Sequence, residues 1–289
     1  MNLAAHKRFL VIVRAGDRSL HPQWTSSLLT RDWDLVVSYF GDDPHRYRDA
    51  GELRIDDKGP KWPGLHILLS RDDFWRDYDY IWLPDDDLAI TQTAISTLFE
   101  VTASRDLALT QPALSWSSFY SHPVTIRRPS FQLRLTDFVE NMAPCFTRDS
   151  LGTCLPTMGQ NLSGWGLGAV WPTLLGGGSS RVAIIDDVTV THTRPVGGPN
   201  YATLCAAGIS PQGEMDALLR TYGIRFDNPR VLAAIDREGH LLSGADPDDA
   251  RSLEHRLRGD WKDFLASRQR LDMPALVLSN QLERAKWGW

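Results

Sequence analysis

The sequence predicts an α/β chain: a Rossmann-like, mostly parallel sheet flanked by helices, with a helical C-terminal appendage. Two observations carry this. Short continuous apolar runs of the buried-strand type recur along the N-terminal half, and each leads through a loop signal into a segment at helical spacing. No repeat with a period of roughly 20 to 50 residues is visible, which sets solenoids and propellers aside.

Phe9-Leu10-Val11-Ile12-Val13 is the first strand, closed by Arg14-Ala15-Gly16-Asp17. Pro22 to Leu29 can form a short helix, and Trp33 to Phe40 is a second strand that stops at Gly41-Asp42-Asp43-Pro44. After a polar stretch from Asp42 to Lys61, Leu65 to Tyr78 reads as a helix and Tyr80-Ile81-Trp82-Leu83 as a third strand. A helix over Thr91 to Ser104 and a strand over Leu107 to Thr110 follow. Farther on, Phe131 to Phe138 and Met142 to Phe146 are strand-like, Leu167 to Leu175 is a short helix, and Gly176 to Ser180 is a turn. Arg181 to Thr191 is a strand that runs into His192-Thr193-Arg194-Pro195. Ser210-Pro211 supplies an N-cap and first-turn pair for a helix through Arg220. Val231 to Ile235 and Leu241-Leu242 form a hairpin, and Leu253, Leu257, Phe264 and Leu265 share one face of a last helix. The expected division is residues 1–225 as a catalytic domain and 226–289 as a hairpin and helical extension packed on it.

Composition narrows the function. Lys plus Arg number 31 against 36 Asp plus Glu, a net charge of -5, so there is no basic footprint for nucleic acid. The longest apolar run near the start, Phe9 to Val13, is too short for a secretory core or a membrane span. The expectation is a cytoplasmic protein with no transmembrane segment. Cys145, Cys154 and Cys205 lack Cys-x-x-Cys spacing and read as buried free thiols. The 11 Trp can offer flat faces to sugar rings, although filling a core is their commoner use.

The sharpest feature is Tyr80-Ile81-Trp82-Leu83-Pro84-Asp85-Asp86-Asp87, a buried-type strand ending in three carboxylates. In extended backbone Asp85 and Asp87 project to one side and Asp86 to the other, so two carboxylates can approach one cation. Strand C-termini are where open α/β sheets bind ligands, and Mg²⁺ or Mn²⁺ is commonly held there by one or two carboxylates plus phosphates. The alternative is a solvated acidic turn ahead of a helix. His192, at a later strand end, is a second candidate ligand that favours Mn²⁺; a lone histidine in that position is more often simply hydrogen-bonded. In Ser163-Gly164-Trp165-Gly166-Leu167-Gly168 the backbone can approach a ligand closely, with Trp165 as a stacking face, or the segment is a tight turn. Lys58 and Lys61 are cations for a diphosphate or solvated loop lysines. Walker and Gly-x-Ser-x-Gly motifs are absent.

Together, Arg14-Ala15-Gly16, Ser19-Leu20-His21-Pro22, Trp33 to Asp43, Tyr78 to Leu88, Gln111 to Leu114, Phe138-Val139-Glu140, Met142 to Phe146, Ser163 to Leu167 and Val190 to Pro199 resemble domain of unknown function family 707, whose plant members are labelled lysine-ketoglutarate-reductase trans-splicing-related. That family is similar to the GT-A class of nucleotide-sugar glycosyltransferases. The resemblance implies a strand-terminal Asp-x-Asp motif at Asp85 to Asp87, an acceptor segment at Gly164 to Gly166 including Trp165, and His192 as a metal ligand. Gly168 departs from the acidic residue that commonly follows Gly-Trp-Gly-Leu, and Asp187 stands where a small residue is usual. The catalytic base is then either lost from this chain or moved to Asp186 or Asp187.

The expected function is transfer of a sugar from a nucleoside diphosphate donor to a hydroxyl of a saccharide or glycoconjugate, with Mn²⁺ or Mg²⁺ held by Asp85, Asp87 and His192. Arg14, Ala15, Asp42 and Asp86 face the donor, Lys61 and Arg194 are cations for its diphosphate, and the loop from Arg194 to Asn200 closes over it. The competing readings are a metal-dependent phosphoester hydrolase or nucleotidyltransferase, and a non-catalytic nucleotide-sugar or saccharide-binding module.

Overall fold

The apolar run at Phe9 is continuous because the strand it forms is covered on both faces: Phe9, Val11, Val13 and Ala15 enter one apolar cluster, Leu10 and Ile12 the other. The fold is that of a computed structural model, which describes residues 7–177, 181–195, 204, 206–226 and 228–270. In chain order the elements are β1 (Phe9–Ala15), α1 (His21–Trp24), β2 (Trp33–Tyr39), β3 (Leu53–Asp56), α2 (Lys61–Arg71), β4 (Tyr80–Trp82), β5 (Leu88–Ala89), α3 (Gln92–Ser104), β6 (Leu109–Leu114), β7 (Phe131–Thr136), β8 (Cys145–Thr147), α4 (Arg148–Met158), α5 (Leu167–Leu174), β9 (Val182–His192), α6 (Pro211–Thr221), β10 (Val231–Asp236), β11 (Leu241–Ser243) and α7 (Pro247–Arg270).

One sheet runs β11-β10-β7-β9-β6-β8-β4-β1-β2-β3, and β5 pairs with β9 outside this path. The mostly parallel sheet expected from the sequence holds from β4 through β1 and β2 to β3. Beyond β4 it is mixed: β8 runs antiparallel to β4 and β6, and β7, β10 and β11 are antiparallel to their neighbours. The reason lies in the connections. The helices α1 and α2 return the chain for the parallel pairing of β1 with β2 and of β4 with β1, whereas β7, β8 and β11 are each reached from the preceding strand without an α-helix. Through β10 the hairpin joins the sheet itself, by pairing with β7.

Helix starts follow local chemistry. Thr91 Oγ1 accepts from Ala94 N at 3.2 Å, and Ser210 Oγ accepts from Gly213 N at 3.1 Å with Pro211 in the first turn. The helix expected over Pro22 to Leu29 is shorter, ending at Trp24, and that over Leu65 to Tyr78 splits into α2 and a 3-10 turn at Phe74–Asp77. Trp24, Trp33, Trp75, Trp82 and Trp171 are fully buried, so these five tryptophans fill the core. Cys145 and Cys154 are buried free thiols; Cys205 lies outside the described residues. Among the described residues no helix is long and apolar enough to cross a membrane.

His21 braces the approach to the acidic turn. It is fully buried against Tyr47, with ring centroids 4.4 Å apart, and its neighbour Leu20 donates to the Asp86 carbonyl at 2.7 Å. Burial lowers its pKa from 6.5 to about 4. A depressed histidine pKa contributes stability that is complete above pH 6.5 and is lost as pH falls toward 4, by up to roughly 3 kcal/mol. Denaturant midpoints of the parent should therefore fall more steeply over that window than those of His21→Gln; parallel slopes would contradict this.

Candidate functional site

Strand β4 delivers the acidic trio, but the strand ends at Trp82, and Asp86 and Asp87 lie in a turn before β5. The alternation expected of extended backbone is therefore replaced by three divergent directions. Asp85 meets Lys61 Nζ at 2.5 Å. Asp86 accepts from Gly16 N at 2.8 Å and from Arg194 at 3.0 Å. Asp87 meets His192 Nε2 at 3.3 Å.

The meeting of Asp87 and His192 is a product of sheet topology. β5 pairs antiparallel with the end of β9, placing Leu88 opposite His192, and Thr193 donates to the Asp87 carbonyl through both N (3.2 Å) and Oγ1 (2.8 Å). The ring is oriented from behind: His192 Nδ1 lies 2.9 Å from the Phe119 carbonyl. Nδ1–H donates there, so Nε2 is the nitrogen directed at Asp87. A ligating histidine is commonly fixed in this way.

Burial shapes the charges. It raises Asp85 and Asp86 above the usual carboxylate range and lowers Lys61. Burial also acts against charge on Asp87 and His192. Their mutual hydrogen bond outweighs it, holding Asp87 low and raising His192 to about 9. Asp87 Oδ1 is buried with no hydrogen-bond partner.

Glu140 is the site residue that the motif reading quoted without giving it a role. It is 6% exposed, takes a hydrogen bond from Ser121, and is coupled electrostatically to His192 and Asp85. Its Oε2 has no partner, and burial raises its pKa to about 7. The segment around it is built into the site: Asn141 O accepts from Lys61 at 3.0 Å, and Met142 O accepts from Asp85 N at 2.7 Å. Four carboxylates thus face Lys61, Arg194 and His192, with two buried oxygens unsatisfied. Such a set is short of positive charge and suits a divalent cation. Asp87 and His192 fit as its ligands. Asp85 is adjacent but drawn to Lys61, so the three ligand atoms do not converge. Among the described residues the three-group convergence lies elsewhere, at Asp236, Glu238 and His240 on the hairpin, where Asp236 is already bonded to backbone N–H groups and lies 3.4 Å from Arg256.

Arg14 is buried and bonded to Ser38 (3.0 Å), Asp57 (2.9 Å) and the Gly59 carbonyl (2.6 Å). It fastens the β3–α2 loop to the strand ends, which occupies it as a donor contact. The Ala15 side chain is in the core. Asp42 is exposed and paired with Lys58 at 2.6 Å, so the expectation that it faces the donor has no contact to support it. Arg194 reaches Asp86 and the Arg18 carbonyl (2.6 Å); the rest of its loop, 196–200, lies outside the described residues. Trp165 is half-buried, and Gly166 opens α5. Gly164 adopts φ +76°, and a Cβ there would lie 2.3 Å from the Trp62 indole. Its carbonyl accepts from Asn141 at 2.8 Å, which ties the Gly-Trp-Gly segment to the site. Glu214 of α6 braces the same loop by accepting from Leu162 N and Ser163 N, both at 2.9 Å.

The base assigned to Asp186 or Asp187 is not at this site. Asp186 is fully buried and spent on Arg134 (2.7 and 3.0 Å) and Arg128 N (2.7 Å). Asp187 pairs with Arg237. Both lie upstream of His192 by roughly 15–20 Å of strand. Gly168 is explained by contact: a Cβ there would lie 2.1 Å from the Val139 carbonyl, so an acidic side chain cannot enter while Val139 and Glu140 hold their place.

No curated protein matches the chain. Among solved structures, GalNAc-T7 with UDP, GalNAc and Mn²⁺ is similar at TM-score 0.53 and 10% identity, over 75% of this chain and 48% of that one. Staphylococcus aureus TarS 1–349 with UDP-GlcNAc is similar at 0.48 and 12%, over 75% and 65%. Mycobacterium tuberculosis glucosyl-3-phosphoglycerate synthase with Mn²⁺, UDP-glucose and phosphoglyceric acid is similar at 0.46 and 14%, over 77% and 82%. The chain spans 42% of the longer TarS chain and about half of GalNAc-T7. The feature shared with GalNAc-T7 is the fold, a large central sheet flanked by helices as in GT-A glycosyltransferases. Residues 65–203, which hold the acidic turn, Glu140, the Gly-Trp-Gly segment and His192, match the family described as "Protein of unknown function (DUF707)".

Proposed function

We propose that the chain is a metal-dependent glycosyltransferase that moves a sugar from a nucleoside diphosphate donor to a hydroxyl of a saccharide or glycoconjugate. The observation that carries this reading is the contact of Asp87 with His192 beside an unsatisfied carboxylate oxygen, at the C-terminal end of β4 in a GT-A-like fold. Asp87 and His192 would hold Mn²⁺ or Mg²⁺, with Asp85 next to them. When bound, the ion supplies positive charge to the departing diphosphate.

The protein's own groups do the remaining work. Arg194 and Lys61 lie beside the trio as fixed cations for the diphosphate. Gly16 and Asp86 join the end of β1 to the acidic turn, which sets the floor on which the nucleotide would lie. The Gly-Trp-Gly loop, held by Asn141 and Glu214, forms the acceptor side. Glu140 takes the base role that Asp186 and Asp187 cannot fill. Its Oε2 accepts the acceptor hydroxyl proton as that oxygen bonds to the anomeric carbon and the bond to the diphosphate breaks, giving inverted anomeric configuration.

A panel of nucleotide sugars, tested with and without Mn²⁺, should give a metal-dependent rise in melting temperature with at least one donor and release of the nucleoside diphosphate. Turnover of simple phosphoesters with no donor selectivity would replace this reading with a hydrolase. Metal-dependent donor binding with no turnover, across acceptors, would leave a binding module.

A further inference from the structure

We infer that helix α7 positions the His192 imidazole, with Arg268 as a positioning residue that acts through the loop after β6. This rests on the reading of His192 as a metal ligand.

His192 is held by two residues of a loop without regular structure. Its N–H donates to Ser118 Oγ at 3.1 Å, its Nδ1 faces the Phe119 carbonyl at 2.9 Å, and its carbonyl accepts from Phe119 N at 3.1 Å. Part of the loop's support comes from β9 itself: Ser115 N donates to the Val190 carbonyl at 2.8 Å, and Ser115 Oγ lies 2.7 Å from Thr191 Oγ1. The rest comes from α7. Arg268, 1% exposed, donates through one terminal nitrogen to the Ser118 carbonyl at 2.7 Å and the Trp116 carbonyl at 3.2 Å. Around it the rings of Trp261 and Phe264 pack on Tyr120, with centroids 6.4 and 5.7 Å apart, and Phe264 packs on Trp116 at 6.2 Å.

Farther back, the helix is fixed independently of the site. Asp260 accepts from Ser130 N at 3.1 Å and Ser130 Oγ at 2.8 Å, and Leu253 and Leu257 pack with Phe131, Ala234 and Leu242. At 24 residues the helix is about 36 Å long. It therefore links the hairpin end of the sheet to the loop whose Phe119 carbonyl faces the imidazole. A guanidinium buried on backbone carbonyls forms charge-assisted hydrogen bonds that a neutral side chain cannot replace.

The test compares full-length parent, Arg268→Met and Arg268→Lys by Mn²⁺ titration under electron paramagnetic resonance, and by solvent exchange of the His192 Nδ1 proton under NMR. Arg268→Met should weaken Mn²⁺ at least tenfold and speed exchange of that proton, and Arg268→Lys should recover most of both. A folded Arg268→Met with Mn²⁺ affinity within twofold of the parent and an equally protected proton would overturn the inference. Should that variant fail to fold, Phe264→Leu, which loosens the same support, decides by the same two readings. If the parent binds no Mn²⁺, the metal reading fails, and the proton exchange alone decides the role of Arg268.

Discussion

Asp87→Ala should abolish the Mn²⁺-dependent stabilisation expected of the proposed site, with or without a nucleotide donor. The parent, at metal near 100 times its dissociation constant, should gain about 2.7 kcal/mol, a rise of roughly 4–5 °C in melting temperature for a chain of this length. Asp87 supplies the carboxylate with the orphan oxygen and the partner of His192, so its loss removes one ligand and the group that orients the other. Calorimetry or thermal shift reads this directly, and a variant that keeps the parent's metal response would refute the site. The pH dependence has a definite sign. His192 is protonated up to about pH 9 in the metal-free protein, and a ligating imidazole must shed that proton. Mn²⁺ affinity should therefore rise between pH 6 and 8, by up to about tenfold per unit.

On the proposed mechanism, Glu140→Gln should lower turnover by roughly 10² to 10⁴ while leaving Mn²⁺ and donor binding within a few-fold of the parent. Glutamine keeps the size and the polar contact to Ser121 but cannot take the acceptor proton. The separation of turnover from binding is what marks this role. A structural carboxylate would lose binding and stability together, whereas a base loses only the chemical step. NMR of the product anomer provides a second reading, with inversion expected. Turnover within tenfold of the parent, or retention of configuration, would remove Glu140 from this position. Asp186→Asn should behave differently, since it leaves Arg134 buried without its counter-charge, and the expected loss there is of fold.

The legible parts of this protein are those governed by local rules. A run such as Phe9 to Val13 states that both faces of its strand are covered, and the parallel core of β4, β1 and β2 follows from helices lying between such runs. Ser210 and Pro211 mark a helix start because they serve the adjacent backbone. The three aspartates after Trp82 stand out because clustered charge at the end of a buried strand needs a counter-ion. Strand β3 and helix α4 were not legible for equally local reasons. Strand β3, at the sheet edge, carries Arg54 and Asp56, and its charges hide any alternation. Helix α4 contains Gly152 and Pro156, which argue against a helix.

What the amino-acid sequence determined by itself is which segments are buried and which chemical groups are available: the acidic turn, the glycine loop and a histidine at a strand end. Only the tertiary structure decided which groups meet. It put Asp87 beside His192 through pairing of β5 with β9, gave Asp186 to Arg134 and Asp187 to Arg237, and left Glu140 buried with an open oxygen. The physical reason is that the cost of a buried charge depends on its nearest partner, and partners are set by strand register across the sheet, which no local pattern along the chain records.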